Sequence, residues 1–298
     1  MLLNLCVCTY GRLKLLQRCI ESLLSQTIPD NVTFCITVID NDLNRSAESV
    51  VRSLDRTTDK KINYSVEERR GIPCARNKAL DVSKEIGADL LIFIDDDEIA
   101  GKGWLAALYE VSKKYNHQAA VHGLVIPQLV DDIPESIAGL FRVKKRPEGK
   151  ALTACATDNV SIPMQFVTEQ GLRFDESRPL AGGTDTIFFT EAHAQGLSIY
   201  QTNTAVVYEE VPPGRCSLKW LVKRKFRSGM TGAWRKRQHG RSGWSVMSSA
   251  LIQAAAYMLM AVIYFFIFKG LKRNECILKS ARSAGVFVGC FKKSIDSY

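Results

Sequence analysis

The chain has 298 residues, 46% of them hydrophobic and 24% charged, with a net charge of +9, which is ample core for one α/β domain and a smaller appendage. Nine cysteines, several inside predicted strands or helices (Cys6, Cys8, Cys19, Cys35), argue against a disulfide framework and for reduced, buried thiols. Cys6 and Cys8 have no second pair at zinc-finger spacing, and His117, His122, His193 and His239 are scattered, so neither residue type points to a metal centre.

Residues 2–9 (LLNLCVCT) read as a first strand that follows Met1 directly, with no cleavable signal segment before it. It ends in the polar turn Thr9-Tyr10-Gly11-Arg12. A helix is expected over 13–26, because Leu16, Ile20, Leu23 and Leu24 fall on one helical face. The strand 32–39 delivers Asp40-Asn41-Asp42 at its carboxyl end, and a further helix reaches about residue 54. A short strand over 63–67 precedes Gly71-Ile-Pro-Cys-Ala-Arg-Asn77, which opens a helix ending near 86. Residues 90–94 are a short unbroken apolar run that stops abruptly at charge, the pattern of a strand buried on both faces.

Strand and helix alternation of this kind predicts a mostly parallel sheet covered on both sides, with ligands at the carboxyl ends of its strands. Thr9, Asp40, Arg76 and the triplet Asp95-Asp96-Asp97 all belong at that edge. If extended geometry persists past residue 94, Asp95 and Asp97 share a side and Asp96 points away. Two carboxylates so placed suit a hard divalent cation that completes its oxygen shell with substrate phosphates. The competing reading is a solvated acidic turn.

Five segments in order resemble family 2 glycosyltransferases of the GT-A fold, particularly the succinoglycan-type bacterial exopolysaccharide enzymes. They are Cys8-Thr9-Tyr10-Gly11-Arg12, Ile39-Asp40-Asn41-Asp42, Gly71 to Asn77, Phe93-Ile94-Asp95-Asp96-Asp97-Glu98 and Gly182-Gly183-Thr184-Asp185, within residues 1 to about 210. The resemblance implies a GT-A domain over 1–210, with a nucleotide-binding half (1–100) and an acceptor and catalytic-base half (101–210). It places the UDP-sugar against Thr9, Tyr10, Arg12, Asp40, Asn41, Arg76, Asn77, Asp95 and Asp96, with Mg²⁺ or Mn²⁺ held by Asp97 and Asp95. A carboxylate or amide at 40–41 would accept the uracil N–H while the Tyr10 ring packs on the base. Asp40 could instead shape its own turn. Arg76 and Asn77, in the first turn of their helix, suit a phosphate, and Arg76 could fork onto it; the alternative for Arg76 is a surface ion pair with Glu67 or Glu68.

In the second half, the stretch from Glu169 to Glu176, the Gly182-Gly183-Thr184-Asp185 segment and a helix over 187–195 resemble the part of inverting members that carries the base, which makes Asp185 the general base. Thr184 or Asp185 could instead serve only as helix caps. Many family members have Glu at the position of Thr184, and an acidic residue or Arg in the turn occupied here by Ile187 and Glu191. Trp104 is either a platform for the acceptor ring or a core residue at the start of a helix over 105–115, and Asn159 either lines the acceptor cleft or belongs to a turn.

Residues 211–298 hold 17 Lys plus Arg against two acidic residues, and the remainder of the chain is mildly acidic. Trp220, Leu221, Phe226 and Trp234 interleave with nine cations over 219–241, and the apolar stretch 245–268 follows. This tail is expected to be helical and to meet a membrane surface through 215–298, because the apolar stretch has the length of a bilayer span and basic aromatic helices lie on anionic leaflets. Basic flanks on both sides leave spanning open beside a re-entrant or interfacial hairpin with 284–291 as a second shallow element. The partners implied are a UDP-sugar donor and a saccharide or polyprenyl-diphosphate-linked acceptor, with no nucleic acid, at the cytoplasmic face of a bacterial inner membrane. A processive synthase fits poorly, since residues 237–244 only faintly match the Gln-Arg-x-x-Arg-Trp segment. A sugar-phosphate nucleotidyltransferase would need a glycine-rich loop after the first strand, and a noncatalytic membrane or nucleic-acid binder would leave the acidic cluster and Asp185 without a task.

Overall fold

The computed structural model describes residues 1–29, 31–130, 132–143, 145–177, 179, 182–238 and 242–291, with the backbone alone for 234–238. The chain forms two compact units. One comprises Met1–Ile126, Lys144–Pro179 and Thr184–Glu209, the other Pro127–Val143, Leu180–Gly183 and Glu210–Tyr298.

The first unit opens with β1 (Leu2–Thr9), α1 (Leu13–Leu24), β2 (Thr33–Asp40), α2 (Glu48–Asp55), β3 (Ile62–Val66), α3 (Ile72–Glu85) and β4 (Leu90–Asp95), the expected alternation. It continues through β5 (Glu98–Ala100), α4 (Trp104–Lys114) and β6 (Ala120–Gln128). The short helix α5 (Glu135–Ala138) belongs to the second unit, and the first resumes with β7 (Ala151–Leu152), β8 (Asn159–Pro163), α6 (Met164–Glu169), α7 (Thr184–Ala194) and β9 (Ile199–Glu210).

The strands form one sheet in the order β3-β2-β1-β4-β8-β6-β9-β5, with β7 against β9. The parallel expectation holds for β3, β2, β1 and β4, whereas β8 runs antiparallel to β4, and β5 and β7 run antiparallel to β9. Alternate side chains explain why both faces are apolar. Leu3, Leu5 and Val7 of β1 join Ile36, Val38, Ile92 and Ile94 under α1 and α4, while Cys6, Ile39, Leu91 and Phe93 point to the other face with Ala75, Ala79 and Leu80 of α3. Burial of one such Leu or Ile side chain contributes about 1.5–3 kcal/mol. No disulfide links the nine cysteines, all of which lie within the described residues.

Register sets the functional edge. Thr9 is opposite Asp40, Cys8 is opposite Asp95 and Asp40 is opposite Val66, so the carboxyl ends of four parallel strands finish in one row. Across the antiparallel half, Gly123 lets β6 pass tightly over Asn159: a Cβ there would collide with the Asn159 side-chain amide and the carbonyl of Ala205. Gly123→Ala is therefore expected to lower the unfolding free energy by about 1–3 kcal/mol, read as a shifted midpoint in urea with an unchanged slope.

The second unit adds α8 (Leu218–Gln238), α9 (Gly243–Phe266) and α10 (Gly270–Gly289), with α10 packed against both α8 and α9. Glycine makes the α8–α10 crossing close: Gly229 abuts the Arg282 carbonyl, Gly285 the Phe226 carbonyl and Gly289 the Met230 backbone. Residues 284–291 are not a separate shallow element. Through Gly289 they are the continuous end of α10, held against α8 by those contacts. The Trp234 side chain, His239 and part of the 237–244 segment lie outside the described residues.

Candidate active site

At the functional edge β4 stops at Asp95, and Asp96 and Asp97 form a turn before β5. Because extension ends there, strict alternation does not reach Asp97. Asp96 and Asp97 instead converge on Arg12, whose Nη1 donates to Asp96 Oδ1 at 2.9 Å and to Asp97 Oδ2 at 3.0 Å. The Thr9 hydroxyl donates to Asp96 Oδ2 at 2.7 Å. Burial works against the Arg12 charge, but Asp96 and Asp97 outweigh it and hold the guanidinium more firmly protonated than usual. Asp96 is pushed up by burial first, with Arg12 and the Thr9 hydroxyl opposing.

Asp95 leaves this clamp. Its carboxyl is raised, by partial loss of water first and by Asp158, Asp97 and Asp96, with Arg76 opposing, and the 48% exposure of the side chain limits the rise. Arg76 Nη2 stands 4.0 Å from Asp95 Oδ1, and its guanidinium lies 5.7 Å from the Phe174 ring centroid. The acidic neighbour of Arg76 among the described residues is thus Asp95, while Glu67, offered as its surface partner, pairs with Arg69 at 2.9 Å. Glu98 closes the acidic segment, and its residue type alone does not mark it as part of the site. Its buried Oε2 accepts the Asp95 N–H at 2.9 Å, and burial followed by Asp95 and Asp158 pushes its carboxyl well up. Glu98 reaches Asp95 across the two-residue turn of Asp96 and Asp97, whereas Asp158 is brought near them only by the fold.

The residues expected at the nucleoside divide into exposed and enclosed groups. Tyr10 is 46% exposed, with the Arg70 guanidinium 4.6 Å from its ring centroid. Asp40 is fully buried: Oδ1 accepts the Asp42 N–H, and Oδ2 accepts the Ala47 N–H and the Tyr64 hydroxyl. Here the turn-shaping reading of Asp40 describes its contacts. Asn41 donates to the Glu67 and Arg69 carbonyls and accepts the Gly71 N–H at 2.7 Å, which holds the start of α3. A side chain at Gly71, whose φ is 150°, would also meet Pro179.

Since α3 begins at Ile72, Arg76 and Asn77 fall in its second turn rather than its first. The Asn77 amide is committed on both sides, accepting the Phe174 N–H at 2.8 Å and donating to the Phe174 carbonyl and to Glu176. Asn77 thereby ties α3 to the 174–176 segment, where Glu176 also pairs with Arg69 at 2.6 Å.

Asp185, the expected general base, is partly buried in the first turn of α7. The Cys155 thiol is pushed well up by burial, then by Asp158 and Asp185. Asp158 thus shares one electrostatic neighbourhood with Asp185 and, through Asp95 and Glu98, with the triplet. His122 Nε2, on β6, lies 3.1 Å from Oδ1 of Asp158, the residue just before β8, and orients it, a contact that no sequence spacing announces.

Trp104 and Asn159 are core residues: both are fully buried, and the indole Nε1–H donates to Asn159 Oδ1 at 2.8 Å. The Asn159 amide donates in turn to the Leu124 and Ala205 carbonyls. Trp104→Phe is expected to cost about 1–3 kcal/mol, by leaving a buried acceptor unpaired, with no change in acceptor KM. Thermal unfolding beside steady-state kinetics checks both.

The glycosyl transferase family 2 model matches residues 5–156. Succinoglycan biosynthesis protein ExoM of Rhizobium meliloti is 32% identical over 98% of this chain and 94% of its own length. Among solved structures, mannosyltransferase PcManGT from Pyrobaculum calidifontis, in complex with GDP-Man and Mn²⁺, superposes with a TM-score of 0.69 at 16% identity over 98% of this chain and 88% of that one. S. aureus TarS in complex with UDP-GlcNAc gives 0.54 at 16% identity over 76% of this chain and 66% of that one.

Proposed function

The chain belongs to glycosyl transferase family 2 and has the GT-A fold, and from that premise we propose that it moves a hexose from a UDP-sugar to a saccharide on a polyprenyl-diphosphate lipid, with inversion, in bacterial exopolysaccharide or other surface-glycan synthesis. The observation that carries this reading is the row of strand ends at which Arg12 gathers Asp96 and Asp97 beside Asp95 and Arg76. The name of the ExoM relative supports exopolysaccharide synthesis, and the UDP-GlcNAc complex of TarS supports a uridine donor.

A divalent cation fits this donor set. Among the described residues no three His, Cys, Asp or Glu groups converge as a self-sufficient cage. The oxygen ligands offered are Asp95 and Asp97, the sparse set that Mg²⁺ or Mn²⁺ accepts when phosphate oxygens complete the shell. Bound there, the cation would neutralise charge on the diphosphate leaving group. Arg12 and Thr9 hold the turn that aims Asp97, Arg76 meets a phosphate oxygen, and Tyr10 offers its exposed ring to the base. Asp185 takes the proton of the acceptor hydroxyl as its oxygen bonds to the anomeric carbon and the bond from that carbon to the diphosphate oxygen breaks. Attack from the face opposite the leaving group inverts the centre, and an α-linked donor yields a β-glycoside.

The exposed apolar helix α9 supports work at the cytoplasmic face of the inner membrane, where cytosolic nucleotide sugar meets a lipid-anchored headgroup. A donor panel of UDP- and GDP-sugars with lipid-linked acceptor extract, with Mg²⁺, with Mn²⁺ and with chelator, tests the reading. Metal-dependent transfer from one UDP-sugar is expected. Preference for a GDP-sugar would overturn the donor, and release of inorganic diphosphate from a sugar phosphate and a nucleoside triphosphate would replace transfer by nucleotidyl chemistry.

A further inference from the structure

An interfacial helix ordinarily carries its own charged side. Helix α9 has none: over 24 residues it has no Asp, Glu, Lys or Arg, and only 17% of its most apolar window is buried. Val246, Ala250 and Ala261 mark its buried side. Opposite them Ile252, Leu259, Ile263 and Phe266 are 51–70% exposed and recur along one arc of the helix.

The missing polar side is supplied by α10. The Ser280 hydroxyl donates to the Ala254 carbonyl at 2.9 Å, Lys279 Nζ stands 5.5 Å from the Tyr257 ring centroid, and Lys272 Nζ stands 5.9 Å from that of Tyr264. Partners that climb along α10 descend along α9, so the two helices lie antiparallel side by side. On α10 the exposed residues Lys272, Glu275, Lys279 and Arg282 follow one another at three- and four-residue steps. They form a continuous ionised stripe about 15 Å long on the side of α9 away from the apolar arc, where Lys272 and Lys279 meet Tyr264 and Tyr257.

We propose that α9 and α10 act as one amphipathic unit that lies lengthwise in a single leaflet of an anionic bilayer without crossing it, a topology that rests on the membrane association proposed above. An upright α9 would carry its packed neighbour with it and draw the stripe into hydrocarbon about 30 Å thick, where ionised side chains are strongly disfavoured. Lying flat, the arc enters the acyl layer while Lys272, Lys279 and Arg282 stay among headgroups. The 17 cations and two acids of residues 211–298 match an anionic surface. Exposed Lys269, at the α9–α10 turn, then stays on the side of the membrane from which the protein binds.

Two measurements on the full chain test this. In flotation with vesicles of phosphatidylglycerol and phosphatidylethanolamine, the wild type is expected to float, and Leu259→Asp with Ile263→Asp, both at exposed positions, to lower the bound fraction about tenfold or more with unchanged circular dichroism. In bacterial membranes, Lys269→Cys is expected to react with a membrane-impermeant maleimide in inverted vesicles but not in spheroplasts, over the wild-type background. Flotation with labelling from spheroplasts only overturns the flat topology and leaves membrane association standing. Absence of flotation overturns both, as does a dimer in light scattering that the double variant dissociates while neither protein floats. Sugar transfer is read in neither arm, so a wrong donor or acceptor leaves both results unaffected.

Discussion

Asp185→Asn is expected to lower kcat by about 10²–10⁴-fold while the Kd for the nucleotide sugar stays within about twofold. The amide keeps the size and position of the side chain in the first turn of α7 but cannot take a proton. If Asp185 only caps or braces its helix, stability rather than turnover should respond. Comparing kcat, donor affinity and thermal unfolding of the two proteins separates these outcomes. Preserved turnover would remove Asp185 from the chemistry and direct attention to Asp158, the carboxylate that shares its neighbourhood and is oriented by His122.

Asp97→Asn is expected to act at the other end of the reaction. It removes a charged ligand from the proposed cation site, so UDP-sugar affinity measured calorimetrically with Mn²⁺ should fall about a hundredfold, equivalent to about 2.8 kcal/mol. Without metal, the wild type and the variant should bind the donor alike. Arg12 complicates the substitution in a useful way. Its Nη1 bridges Asp96 and Asp97, so the variant weakens one half of that clamp while Asp96 and Thr9 retain the other. A loss confined to the metal-containing titration assigns Asp97 to the cation; an equal loss with chelator assigns it to the shape of the turn.

The sequence was most legible where side-chain periodicity and burial coincide. Leu3, Leu5 and Val7 alternate onto one face and the run from Leu90 to Ile94 is short and stops at charge, and the boundaries of both strands in the structure match within a residue or two. The antiparallel half was not legible. Strands β6, β8 and β9 contain His122, Asn159, Ser161, Gln201 and Thr202, polar residues that the fold tolerates because most of them pair across strands, as Gln201 does with His122 and the Gly123 carbonyl.

Residue types alone could not separate ligand-facing from structural polar groups at the edge. Asp40, Asn41 and Asn77 have the chemistry to meet a nucleotide, but each is enclosed by partners 2–99 residues away in sequence: Asp40 shapes its turn, Asn41 holds the start of α3 and Asn77 ties α3 to the 174–176 segment. Tyr10 and Asp95 share the same edge and keep exposed surface. The difference lies in which backbone groups face each side chain after the chain has closed.

The sequence by itself determined the alternating order of the first seven elements, the family and the placing of an acidic triplet at a strand's end, because hydrophobic period and local motif are properties of neighbouring residues. Tertiary structure alone decided that Asp96 and Asp97 share Arg12, that Trp104 is sealed by Asn159 and that α10 supplies the charged side missing from α9. Each of those pairings depends on a turn angle, a strand register or a helix crossing, and such long-range geometry is settled only when the whole core packs.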